Sequence, residues 1–137
     1  MDSTILQSFS GIGAFAQYFF GAIALLVIFI LVYGLITPYN EYRLIKDGCT
    51  APAISFGGAI LGYIFPMCSA ITHSASFIDM IIWACIAMVV QILVFLVMRI
   101  FFQSLIKNVS EDKIGPALLL GIVSIALGLL NAACMVY

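Results

Sequence analysis

Two side-chain amides, Gln91 and Asn131, stand alone in long apolar stretches, the first near mid-span and the second in the outer third of its span. A polar group facing lipid is costly, so each must face protein or water. Two chemistries answer to that: lining a solute path, or an interhelical hydrogen bond worth about 1 kcal/mol. The hydrogen bond is the plainer reading. His73, the single histidine, falls near Asp79 at an interface. Such a pair suits proton sensing, with a solvated loop histidine as the simpler alternative. One histidine with no second ligand makes no metal site. Cys49, Cys68, Cys85 and Cys134 are far apart, with no CxxC spacing. Cys68 and Cys134 can reach the same membrane face, which leaves a disulfide open beside the plainer role of small apolar packing.

Catalysis finds no support in the chain. Its other acidic and basic groups fall in or beside loops, without a nucleophile–base pair, a phosphate loop or paired buried carboxylates. The expectation is therefore no enzyme and no cofactor. An ion-coupled pump is a poor reading too, because no ionisable residue reaches mid-membrane. The basic residues are too sparse for a nucleic-acid surface.

The elements that carry these residues follow from hydropathy. Of the 137 residues 65% are apolar and 8% are charged, against about 25% charged in an ordinary soluble domain. Charge-free runs cover residues 3–40, 48–78, 80–98 and 114–137. A helix needs about 20 apolar residues to cross the hydrocarbon core, and backbone groups in lipid must be satisfied internally. The chain is thus expected to be an all-α membrane protein in one four-span domain. The spans fall at about 14–36, 51–72, 78–102 and 115–136, with loops at 37–50 and 103–114. Met1 to Gly13 carries Leu6, Phe9 and Ile12 at helical spacing and is expected to lie along the membrane surface. It lacks the basic start of a cleavable signal peptide. Phe15, Tyr18, Phe19 and Phe20 suit an interfacial aromatic belt. Thr37 and Pro38 end the first span and are expected to open a short polar helix that Gly48 stops. Pro66 predicts a kink in the second span.

All five basic residues, Arg43, Lys46, Arg99, Lys107 and Lys113, lie in or beside the loops at 37–50 and 103–114. The positive-inside rule makes those loops cytoplasmic and both termini periplasmic. Asp79 and Arg99 are twenty positions apart, roughly 30 Å of helix, so each is expected at an opposite interface with Arg99 snorkelling outward.

Small residues then decide how the spans meet. Ala51, Ser55, Gly58, Gly62 and Pro66, with Ser69 beyond them, follow one face of the second span. Ala117, Gly121, Ser124 and Gly128, with Asn131, form a matching stripe on the fourth. Stripes of this kind let backbones approach closely, so they predict helix-packing seams, within the chain or between subunits; lining a narrow pathway is the sharper alternative. LIK at 44–46 and again at 105–107, with Ala51, Gly62 and Cys68 matched 66 positions on by Ala117, Gly128 and Cys134, predicts two pseudo-repeated two-helix units related by an axis along the membrane normal.

ITPYNEYRLIKDG, LGYIFPMCSA with its short link, and the closing LNAACMVY resemble the corresponding parts of the YjfL-type inner-membrane family, domain of unknown function 350 (UPF0719). The resemblance covers nearly the whole chain in order. It implies a multi-pass protein of the bacterial inner membrane and implies no activity. Its members are often encoded beside envelope-stress proteins, which suggests a membrane partner in such a system. The expected function is a small homo-oligomeric scaffold or partner subunit in envelope maintenance, in contact with the lipid bilayer. An oligomeric channel or passive transporter for an ion or small solute is the alternative, with Gln91 and Asn131 as lining.

Overall fold

The computed structural model describes residues 2–135. Six helices follow in order: α1 (Asp2–Ile36), α2 (Glu41–Lys46), α3 (Thr50–His73), α4 (Phe77–Phe101), α5 (Gln103–Ser110) and α6 (Ile114–Cys134). The four long ones are each apolar enough and long enough to cross a membrane. The chain is an all-helical membrane protein. Val136, placed at the end of the expected fourth span, lies outside the described residues, as does Tyr137 of the closing motif.

Two local expectations need correction. Residues 2–13 do not form a separate surface helix: α1 runs unbroken for 35 residues, about 52 Å, which exceeds a bilayer core by about 20 Å. A Cβ at Gly11 or Gly13 within it would meet nothing within 4 Å, and glycine lowers helix propensity without ending a helix that has no other breaker. The polar link after α1 is capped by Asn40, not Thr37. Asn40 Oδ1 accepts from the Arg43 N–H at 3.2 Å, while the Thr37 hydroxyl donates back to the Tyr33 and Gly34 carbonyls at 2.8 and 3.1 Å. Thr37 therefore closes α1 and is not free to open α2. The second loop, in turn, is mostly helix, because Ile106 and Val109 give α5 an apolar face to bury.

Both short helices stop in the same way. In α2 the Gly48 N–H reaches the Ile45 carbonyl and the Cys49 N–H reaches that of Leu44, each at 3.0 Å. In α5 the Asp112 N–H reaches Val109 and the Lys113 N–H reaches Asn108, each at 3.1 Å. This paired return requires a left-handed residue after the cap. Gly48 takes it at φ 93° and Asp112, against steric preference, at φ 60°. That turn aims the Asp112 carboxylate at α3, where Oδ1 accepts from the Ala51 N–H at 2.9 Å. Cys49 at the α3 N-cap contributes no side-chain bond, so the cap comes from 61 residues away. Asp112→Ala should lose the cap and strain the left-handed position further, since alanine lacks the short polar side chain that eases it, at about 2 kcal/mol together. Asp112→Asn should stay near wild type and Asp112→Gly fall between, as read by thermal unfolding in detergent.

At the core, α3 lies against α6 along its length and also meets α4 and α1. Its contact with α6 is backbone on backbone. A Cβ on Gly58 would strike Gly121, one on Gly62 would strike the Ser124 carbonyl and the Gln91 amide, and one on Gly128 would strike Gly62. Aromatic rings instead dock α1. Phe29 stacks on Tyr63 with centroids 4.5 Å apart, and Tyr33 packs against Phe95 of α4 at 5.1 Å and Phe56 of α3 at 5.9 Å. Further along, Tyr18 meets Phe77 edge-on, whose ring lies over Gly21. α3 continues through Pro66, which is buried.

Candidate functional site

The residues singled out by spacing fall into place as follows. Ala51, Ser55, Gly58, Gly62 and Pro66 are buried on α3, and Ala117, Gly121, Ser124 and Gly128 are buried on α6. Gln91 is 1% exposed and its Nε2 donates to the Ser124 carbonyl at 3.2 Å. It bridges α4 to α6 beside Gly62 and is packed against protein. Asn131 is half-buried two turns further along α6, with its Nδ2 buried and without a hydrogen-bond partner among the described residues. Gln91→Leu should cost about 1 kcal/mol, the worth of an interhelical bond, and lower the melting temperature in detergent without changing oligomeric mass. At that same end Ser69 Oγ donates to the Ala132 carbonyl at 3.1 Å, a tie between α3 and α6.

His73 and Asp79 do not pair. His73 Nδ1 lies 3.0 Å from the Ser69 carbonyl and 3.1 Å from the Thr72 hydroxyl, both on its own helix. Asp79 caps its own helix, accepting from the Ala75 N–H at 3.0 Å while Ser76 Oγ accepts from the Asp79 N–H at 3.2 Å. All four cysteines are free, and Cys68 and Cys134 are exposed. Cys68 and Cys134 are therefore not part of the buried α3–α6 seam. Arg99 does not simply snorkel. Its Nη1 donates to the Ile36 carbonyl at 3.0 Å, placing a cation on the open carbonyl end of α1, where the helix dipole favours it. Lys113 forms an exposed ion pair with Glu111 at 3.6 Å, and Lys107 lines a cleft with Arg99. Arg43 and Lys46 lie in the last turn of α2.

The buried carboxylate among the described residues belongs to an acid that the sequence places in the first loop. Glu41, at the start of α2, is 1% exposed, and neither carboxylate oxygen has a hydrogen-bond partner among the described residues. The hydroxyls of Tyr33 and Tyr39 are likewise buried and unpartnered. Asn40 caps α2, which packs against α3, and Glu41 at its first position is buried. Burial pushes the Glu41 carboxyl from 4.5 up to about 8, because a charge taken from water is penalised. Burial, and then the Glu41 charge, raise the Tyr39 phenol. Tyr42 is raised for the same reasons. A cleft of about 420 Å³ runs past Glu41, Tyr39, Tyr42 and Thr37. A second, of about 350 Å³, lies across Tyr39 and is bordered by Arg99 and Lys107. The signal for this cluster in the sequence was slight: three tyrosines, at 33, 39 and 42, around one glutamate just past a span.

No group of three or more metal-ligating side chains is found among the described residues. Comparison with known proteins gives the lineage. Residues 7–135 match the family described as Domain of Unknown Function (DUF350). The chain belongs to the DUF350 family. This DUF350 protein is 38% identical over 124 residues to the UPF0719 inner membrane protein YjfL of Escherichia coli strain K12, covering 90% of this chain and 94% of that one. It is 25% identical over 120 residues to the UPF0719 transmembrane protein YshE of Bacillus subtilis strain 168, covering 86% and 90%. No solved structure matches the DUF350 chain.

Proposed function

We propose that this protein is a non-catalytic scaffold or partner subunit of the bacterial inner membrane, self-associating and acting in envelope maintenance or stress. Both termini face the periplasm in this reading, as the placement of all five basic residues in or beside two loops supports. The observation that carries it is the division of labour among the helices. α3 and α6 close on each other through Gly58, Gly62, Gly121 and Gly128, which leaves no lined path between them. The first half of α1 meanwhile presents Ile5, Leu6, Phe9, Ile12 and Phe15 outward. An apolar helix longer than the bilayer is thick, held to the bundle mainly by its second half, offers surface to another membrane helix. Helices in lipid associate by packing and interhelical bonds, for which such a surface is suited. The channel alternative is weaker, since Gln91 is engaged with the Ser124 carbonyl inside the closed seam.

Native mass spectrometry from lipid nanodiscs, together with gentle co-purification, tests the proposal. Stoichiometric self-association or a stoichiometric membrane partner supports it. A monomer that brings down no partner sinks it.

A further inference from the structure

We infer that Glu41, Tyr33 and Tyr39 form a binding site for one monovalent cation, an alkali ion or a proton, at the end of the bundle that carries the basic loops. The inference goes beyond the scaffold reading and does not depend on it. Four oxygens, the two of Glu41 and the hydroxyls of Tyr33 and Tyr39, are buried without a hydrogen-bond partner among the described residues. These groups lie near enough to feel one another's charge. Two phenols beside a carboxylate would ordinarily donate to it; here they stand off, so all four oxygens keep lone pairs free. Buried polar groups are nearly always satisfied, and unsatisfied ones call for a specific explanation. Ser55 lies beside the Tyr39 phenol and interacts with it; it is fully buried, and its own hydroxyl donates to the Pro52 carbonyl at 3.1 Å.

Charge selects the occupant. The site holds a single carboxylate, so one positive charge neutralises it. A divalent ion would leave a second, unmatched charge in a buried site, which is costly, whereas an alkali ion is balanced in full. With no alkali ion, a proton on the carboxyl meets the same need, because an isolated buried carboxylate is prohibitive. Among the described residues no cationic side chain hydrogen-bonds to Glu41. α1 faces the cluster with Tyr33 and Thr37, α2 with Tyr42, and α3 with Ser55 and Phe56. From α4 comes Phe95 against Tyr33, with Arg99 turned to the Ile36 carbonyl. Lys107 of α5 borders the cleft on the far side of Tyr39. The cleft past Glu41 gives the ion its approach.

The test is thermal unfolding of the purified full chain, followed from about pH 5 to about pH 9.5 in sodium chloride and in choline chloride of equal ionic strength. The carboxyl binds its proton more tightly folded than unfolded. Its stabilisation is therefore complete below about pH 4.5 and is lost as pH rises toward 8, beyond which the curve levels. In choline, the wild type should show that decline and Glu41→Gln should not. If the site takes an alkali ion, sodium removes the decline in the wild type and leaves the variant unchanged. If it takes only a proton, both salts give the same decline. Matching pH profiles and matching salt responses in wild type and Glu41→Gln would overturn the inference. Should that variant fail to fold, infrared titration of the wild type decides instead. A protonated-carboxyl band must vanish near pH 8, or at lower pH in sodium, and Tyr33→Phe must shift that midpoint. A band absent throughout the range in both salts, or a midpoint that Tyr33→Phe leaves in place, overturns the inference.

Discussion

Gly128→Val is expected to abolish the α3–α6 contact and with it the recovery of folded, monodisperse protein from membranes. A Cβ at Gly128 would strike the Gly62 backbone and not a movable side chain. Overpacking usually costs about 1–3 kcal/mol because side chains can turn aside; here only a helix can move, so the cost falls at or above that range. Separating α3 from α6 would also break the bridge from Gln91 to the Ser124 carbonyl and the tie from Ser69 to Ala132. Gly57→Ala is the matched control, because nothing lies within 4 Å of a Cβ there. It should be neutral or slightly stabilising, since alanine exceeds glycine in helix propensity by about 1 kcal/mol. Size-exclusion profiles and melting curves of both variants in one detergent check the pair. Equal behaviour would mean that the seam does not hold the bundle together.

Tyr63→Ala is expected to have the next largest effect, at about 3–5 kcal/mol, the usual range for removing a fully buried aromatic ring. Tyr63 is 0% exposed, stacks on Phe29 of α1 and donates its hydroxyl to the Ala84 carbonyl of α4 at 3.2 Å. One side chain thus joins three helices. Tyr63→Phe separates its two contributions, keeping the stack and losing only the hydrogen bond, about 1 kcal/mol. The readout is the melting temperature, with protease sensitivity of α1 as a second measure. Loss of the Phe29 stack should expose α1 to cleavage in the alanine variant and not in the phenylalanine one.

How much of this was legible beforehand depends on the range of each interaction. The four spans were readable from composition, because a lipid-solvated helix must be apolar over its whole length and 31 charge-free residues, as at 48–78, have no other use. The α3 and α6 stripes were readable for a related reason. Helical periodicity puts Ser55, Gly58 and Gly62 on one face whatever they meet, and small residues on a face in lipid imply a close neighbour. The stop at Gly48 was local as well, since a left-handed position favours glycine.

What only the tertiary structure decided were contacts between distant positions. Asp112 caps α3 from 61 residues away and Arg99 caps α1 from 63; as sequence, both were loop or interface charges like their neighbours. Phe29 and Tyr33 counted simply as apolar residues of a span until Tyr63, Phe56 and Phe95 proved to be their partners. Glu41 shows the limit most clearly. A carboxylate five residues beyond a span has the sequence of a solvated loop group, and its burial depends on α2 packing against α3. Hydropathy is a property of a segment and can be summed from its residues, so the sequence by itself determined where the chain crosses lipid. Burial of a single charge depends on what other segments bring to it, and that was settled only when the helices packed.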